Sequence, residues 1–253
     1  MNPSLSVFGA GLLAGTMNAL AGGGSFVSLP VLIAVGVPSV QANASSTVGL
    51  FPGAAASAWA YRGDLGPIGA VALRPLLITT LIGGAAGALL LLWTASSTFD
   101  FLLPWLLLIA TVTLGFGRQL GEVLRRRWHI RPSAVLAVQL ILGIYGGYFG
   151  GAVGIMMMAV WGLMDSHDFK RLNAPRTLLV TAANAMAVVI FIAGRAVRWH
   201  ETLIMLVAAT IGGYCGALVG RRAPPRVMRA GTLFVAGCIT VLFFARAYLK
   251  TRG

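Results

Sequence analysis

Negative charge is scarce in this chain, with six Asp and Glu against 19 Lys and Arg in 253 residues. Asp64, Asp100, Glu122, Asp165, Asp168 and Glu201 all fall in loops or at the ends of apolar blocks, as do His129, His167 and His200. No block interior therefore holds a carboxylate or imidazole able to relay protons across a membrane. Paired catalytic carboxylates, metal-ligand spacings, a phosphate-binding glycine–lysine loop and a nucleophile elbow are missing as well. That leaves an enzyme little to stand on, and no cofactor or metal is called for. Cysteine is also rare. Cys215 and Cys238 sit inside apolar stretches, where a small buried side chain is the ordinary reading, so a disulfide framework is not expected. The Met1-Asn2-Pro3 start carries no Lys or Arg and lacks the basic front of a secretory signal, so it is expected to belong to the mature protein.

What the chain has in excess is apolar surface. Of its residues 58% are hydrophobic and 10% charged, and the mean hydropathy is +0.86. A soluble domain of this size has no use for so much apolar surface. The apolar residues form blocks at 5–21, 25–36, 44–61, 68–93, 99–116, 133–150, 152–164, 177–193, 202–219 and 231–245. Most are long enough to cross about 30 Å of hydrocarbon as a helix. The blocks at 25–36 and 152–164 are not, reaching about 18 and 20 Å at 1.5 Å per residue. Each follows a glycine cluster that breaks a helix.

The net charge of +13 invites a nucleic-acid reading, but the basic residues stand in short runs between apolar blocks, as Arg125-Arg126-Arg127 and Arg221-Arg222 do. That is the positive-inside pattern of a membrane protein, whose partner is lipid rather than nucleic acid. Tyr61, Trp93, Trp105 and Trp199 near block ends fit interfacial belts.

The chain repeats itself. Residues 82–89 recur at 211–218 with six of eight identical at a shift of 129. Gly11, Gly15 and Gly22 match Gly143, Gly147 and Gly154 at a shift of 132, and Asn43, Ala44 and Thr47 match Asn173, Ala174 and Thr177 at a shift of 130. The expected organisation is a first transmembrane repeat at 1–117, a basic cytoplasmic linker at 118–132 and a second repeat at 133–253. Charge then bears on topology. If each broken pair is a hairpin returning to its own side, the Lys and Arg divide 14 against 5; if each is one interrupted crossing, they divide 12 against 7. The sharper division favours hairpins, so each repeat makes an odd number of crossings and the halves are inverted, as in many transporters. The fold expected is all-α and polytopic, two inverted-topology repeats, each a glycine-broken or re-entrant helix pair followed by three spans.

Glycine at the breaks permits non-helical backbone, which membrane depth tolerates only against protein or a water-filled cavity. Backbone N–H groups of Gly22, Gly23, Gly24 and Ser25, and of Gly150, Gly151 and Gly154, are candidates to hold an anion, with Ser25 a candidate N-cap for the helix that follows. The other reading of these glycines is close helix packing, which Gly83, Gly87, Gly212 and Gly216 suit at once. A second polar cluster follows each short block: Asn43, Ser45, Ser46 and Thr47 in the first half, Asn173, Arg176 and Thr177 in the second. These are helix caps or donors converging on one centre, and Arg176 either binds an anion or obeys the charge rule. Asn18 and Asn184 lie deep in apolar blocks, where an amide needs a partner or a cavity. Donors without carboxylates favour an anionic ligand.

Residues 11–61, with the break at 18–25, Leu29-Pro30, the Gly36-Val37-Pro38 turn and the cluster at 42–47, resemble the TauE/SafE sulfite exporter family, also called the toluenesulfonate uptake permease family. The likeness covers nearly the whole chain, with 143–177 as a second copy of the motif; Ala152-Val153-Gly154 stands where that family is usually richer in glycine. The resemblance implies a multi-pass permease of the bacterial cytoplasmic membrane moving sulfite, thiosulfate or a sulfonate, the substrate held by the residues named above. A negative charge leaving an inside-negative cell gains about 2.3 kcal/mol per 100 mV, which favours export. An anion channel and a non-transporting membrane scaffold remain open from sequence, as does assembly into a homodimer.

Overall fold

The computed structural model describes residues 2–20, 23–68, 71–127, 132–161, 172–220 and 225–249. Within them run ten helices: α1 (Pro3–Leu20), α2 (Ser25–Ala34), α3 (Ser39–Ala60), α4 (Leu73–Trp93), α5 (Ser96–Arg127), α6 (Pro132–Tyr148), α7 (Val153–Trp161), α8 (Asn173–Ala193), α9 (Trp199–Gly220) and α10 (Pro225–Leu249). A 3-10 turn at Arg62–Asp64 and an isolated bridge between Ile68 and Val71 complete the described structure.

Polarity is arranged for lipid. Leu13, Ile82, Phe116, Ile141, Phe234 and Val241 point outward and are each at least 59% exposed, whereas Ser28, Asn43, Ser45, Ser46, Thr80 and Gln139 are buried. Water would penalise that shell, while hydrocarbon accepts it. Leu73–Trp93, Ser96–Gly117, Asn173–Ala193 and Ala230–Ala247 are each long and apolar enough to cross a bilayer. The chain is a polytopic α-helical membrane protein. Trp59, Tyr61, Trp93 and Trp199 stand exposed at helix ends, and the Arg62 guanidinium lies 4.2 Å from the centre of the Trp59 ring.

Three departures of the elements from the apolar blocks have a plain physical cause. Helix α3 starts at Ser39 rather than 44, because the chain leaves extended backbone at Pro38 (ψ 141°) and the polar residues 39–47 are received by buried neighbours. Helix α4 starts at Leu73 rather than 68, since Ile68 and Val71 bond to each other. Helix α5 runs on to Arg127, so the first part of the expected basic linker is helical.

Helix directions follow from which residues touch. The Cβ absent from Gly15 would fall on the carbonyl of Ala209, and that absent from Gly212 on the carbonyl of Leu12. Thr16 Oγ1 donates to the Gly212 carbonyl at 2.9 Å. From Gly11 beside Met205 to Thr16 beside Gly216 the partner numbers rise together, so α1 and α9 run the same way, backbone against backbone as small residues allow. Gly83 lies against Gly143, and Gly84 against Gly147, which makes α4 and α6 another such pair. The Arg198 N–H donates to Ser45 Oγ at 2.9 Å and Gly49 faces Met205, so α3 runs with α9. Gly84 meets Ala183 and Gly194 meets Leu92, so α8 runs with α4. Helices α3 and α8 oppose each other: Thr47 and Asn184 share one neighbour, Gly150, and Thr181 reaches forward along α3 to the Ala54 carbonyl at 3.0 Å. Helices α5 and α10 oppose too, through Thr111 with Thr240 at 2.9 Å and Trp105 edge-on to Phe244.

Helix α2, about 15 Å long, turns back along α1. Its Gly24 packs on the carbonyl of Ala14, ten residues earlier, which a continuing crossing would not reach. Gly146 likewise faces the Val153 side chain at 3.3 Å, so α7 turns back on α6. The far end of α7 is tied down inside the protein, where Trp161 Nε1 donates to Gln139 Oε1 at 3.3 Å and Gln139 Nε2 donates to Thr80 Oγ1 at 2.8 Å.

Candidate functional site

The two breaks are built differently. At the first, Gly23 takes φ +100°, and Asn18 closes the turn, its Oδ1 accepting from the Gly24 N–H at 2.8 Å. The Phe26 N–H bonds to the Gly23 carbonyl at 3.0 Å. Of the other N–H groups proposed there from sequence, those of Gly23 and Ser25 are left without a partner among the described residues. Gly24, not Ser25, holds the N-cap position, and no side chain caps α2. Gly22 lies outside the described residues.

The second break is more open. After Tyr148 the chain passes through Gly150 at φ +75° and Ala152 at φ +58°. The N–H groups of Gly151, Ala152, Val153 and Gly154 find no acceptor among the described residues, since bonding resumes with Ile155 and Met156 donating to the Ala152 carbonyl at 2.9 and 3.2 Å. Unpaired N–H groups at a helix start, with the positive end of the helix dipole behind them, make an anion-binding surface. Arg176, half-buried in α8, packs its aliphatic stem against Gly154. A Cβ on Gly154 would stand 3.4 Å from its Cγ and Cδ.

The polar clusters divide by use. Asn43 Nδ2 donates to the Tyr148 carbonyl at 2.9 Å, tying α3 to the end of α6. Ser45 receives the Arg198 N–H, and Ser46 pairs with Ser28 at 2.6 Å while Ser28 donates to the Gly24 carbonyl at 3.1 Å. These side chains brace the first hairpin and α3 internally. They sit within α3 rather than at its start, so they are not caps. Thr47 and Thr177 make the same bond in each half, to the carbonyls of Asn43 at 2.9 Å and Asn173 at 2.7 Å. Asn173 is the first residue of α8. Thr47 and Asn184 meet at the second break, with Thr47 Oγ1 3.9 Å and Asn184 Oδ1 3.8 Å from where a Cβ on Gly150 would stand.

The sequence residues thus separate into two groups. Gly150, Gly151, Gly154, Arg176, Thr47 and Asn184 gather at the second break, whereas Asn18, Gly24, Ser45 and Ser46 stabilise the first. Sequence reasoning overlooked Ser28, which reads as one more small residue in an apolar block, and Arg198, which was only a loop charge. Arg198 Nε also donates to Gln41 Oε1 at 2.8 Å, fixing the loop before α9 over the start of α3. Only the proximity of Gln41 to the polar cluster hinted at a partner.

Comparison with known proteins agrees with this architecture. The family profile described as "Sulfite exporter TauE/SafE" matches residues 7–243. A "Probable membrane transporter protein" of Haemophilus influenzae is 25% identical over 242 residues, 94% of this chain and 90% of the relative. "Probable membrane transporter protein ORF9" of a Sinorhizobium species is 26% identical over 219 residues, 85% of this chain and 81% of its own. "Probable membrane transporter protein YfcA" of Escherichia coli K12 is 28% identical over 218 residues, covering 85% and 78%. No solved structure matches. A glycine-broken helical membrane architecture and a profile match from the first helix to the last lead to one assignment: the chain belongs to the TauE/SafE sulfite exporter family.

Proposed function

We propose that this chain is a secondary carrier of the cytoplasmic membrane for a small sulfur oxyanion or organosulfonate such as sulfite or thiosulfate, with export the favoured direction. The observation that carries the reading is the second break, where the N–H groups of Gly151 to Gly154 stand unpaired beside the Arg176 side chain. A tetrahedral oxyanion offers several acceptors to such a row and a charge to the guanidinium. The family and the names of its relatives supply the class of activity and of cargo.

The chain is read as two repeats, 1–117 and 133–253, joined by 118–132. Helices α1, α3 and α9 run one way and α4, α6 and α8 the other, so the first repeat sets out in one direction and the second in the opposite one, as inverted repeats require. Reversal of α2 on α1 and of α7 on α6 supports the hairpin topology and its 14-to-5 division of Lys and Arg. Alternating access follows from one repeat rocking against the other about the breaks. Charge alone favours export, because the membrane potential expels an anion and the one carboxylate in the described apolar spans, Asp100, stands exposed near the start of its helix rather than in its interior.

The test is flux. Purified protein in liposomes is expected to move sulfite, thiosulfate or methanesulfonate saturably and with counterflow. Arg176→Gln removes a charge-assisted contact of about 1.5–3 kcal/mol and raises KM about 10- to 100-fold. Absence of flux for all three anions sinks the substrate claim, and ohmic single-channel currents convert the carrier into a channel.

A further inference from the structure

Around Gly150 the protein presents oxygen without hydrogen. The Gly146 carbonyl, Asn184 Oδ1 and Thr47 Oγ1 lie 3.5, 3.8 and 3.9 Å from the single point a Cβ on Gly150 would occupy. They come from three helices, α6, α8 and α3. Each is an acceptor left open for its own reason. The Gly150 N–H bonds back to the Tyr145 carbonyl at 3.4 Å instead of to Gly146, so the Gly146 carbonyl loses its helical partner. The Thr47 hydroxyl gives its hydrogen to the Asn43 carbonyl, which leaves only lone pairs for any further contact. Asn184 Oδ1 is buried without a hydrogen-bond partner, alone in that respect among the side-chain atoms of the described residues. An orphaned buried acceptor is a cost, which a ligand of the right sign removes.

Helix α6 ends here, so the negative end of its dipole adds to the three oxygens. All the ligands are neutral. Without a carboxylate, a divalent ion has nothing to offset the loss of its hydration shell. We propose that the Gly146 carbonyl, Thr47 and Asn184 form a binding site for a monovalent alkali cation of the Na+ class. The site lies directly before the N–H groups of Gly151 to Gly154, so one break presents acceptors to a cation and donors to an anion. Na+ sites at half-helix carboxyl ends are a general solution in carriers with broken helices. The transport role rests on the carrier reading; the binding site does not. Where cation and monoanion travel together their charges cancel, so the membrane potential no longer favours export and the Na+ gradient sets the direction.

Thermal unfolding of the full detergent-solubilised chain, with NaCl replaced by choline chloride at constant ionic strength, tests the site without transport. Na+ is expected to raise Tm saturably by about 3 °C. Thr47→Val and Asn184→Ala remove most of that rise, and Thr47→Ser, which keeps the oxygen, retains it. Should Asn184→Ala fail to fold, Thr47→Val still gives the answer. Equal Tm in Na+ and choline overturns the site, as does an undiminished Na+ shift in the substituted chains. A Na+ shift in a protein that moves no anion leaves the site standing and removes the carrier reading, and anion flux without a Na+ shift does the reverse.

Discussion

At the scale of single residues, the tightest demands on this chain concern what is not there. A methyl group on Gly15 would land on the Ala209 carbonyl, and no rotamer relieves a clash with backbone. Gly53, also helical, has nothing within 4 Å of its missing Cβ. Gly15→Ala is therefore expected to destabilise by roughly 2 kcal/mol or more, while Gly53→Ala is neutral or gains up to about 1 kcal/mol from helix propensity. Thermal unfolding of both in one detergent decides, and equal effects would remove the close-packing account. The packing role of Gly83, Gly87, Gly212 and Gly216 was legible from spacing alone, since small residues four apart share a helix face. The roles of Asn43 and Ser45 were not. Their partners, Tyr148 and Arg198, lie 105 and 153 residues away, and local pattern carries no information about such a contact.

At the scale of elements, the two hairpins are alike in sequence and unlike in bonding. Glycine clusters before short apolar blocks marked both, but in only one of them does a described side chain take up an N–H group, that of Gly24. Asn18 fills that role in the first hairpin, and no described side chain does so at Gly151 to Gly154. The first hairpin is then held to α3 by the Ser28–Ser46 pair. A double-mutant cycle of Ser28→Ala and Ser46→Ala is expected to return a coupling of about 0.6–1.7 kcal/mol, the range for hydrogen bonds between membrane helices. Additive effects would mean that the pair does not hold the hairpin. The start of α3 escaped sequence reading because Ser and Asn at 39–47 look like a loop, and burial against other helices overrides that preference. The helical run of α5 beyond the bilayer was hidden for the opposite reason: its polar turns carry no apolar period to signal a helix.

At the scale of the whole molecule, helix directions place the start of α1 and the end of α10 on one face, opposite the basic end of α5. On the proposed hairpin topology, the positive-inside rule makes that end cytoplasmic and the termini external. Alkaline phosphatase fused after the last residue is expected to be active and a green fluorescent protein fused there dark; the reverse pair would overturn the hairpin topology. The polytopic helical character was legible in hydropathy, where long apolar blocks stand apart from short basic runs. Which helix of one half lies beside which helix of the other was not legible, because the glycine seams are nearly alike and any two of them look complementary.

Those seams have a consequence for biosynthesis. Helix α1 packs on α2 of its own half but most extensively on α9, and the bond from Thr16 to Gly212 spans 196 residues. At about 5–20 residues per second, a ribosome needs roughly 10–40 s to deliver the partner after α1 has been made. Throughout that interval the glycine face of α1 waits in the bilayer or at the insertion machinery with its final neighbour still unmade. Neither half is complete without the other, so a chain stopped after the first repeat would leave the glycine face of α1 with nothing to close upon.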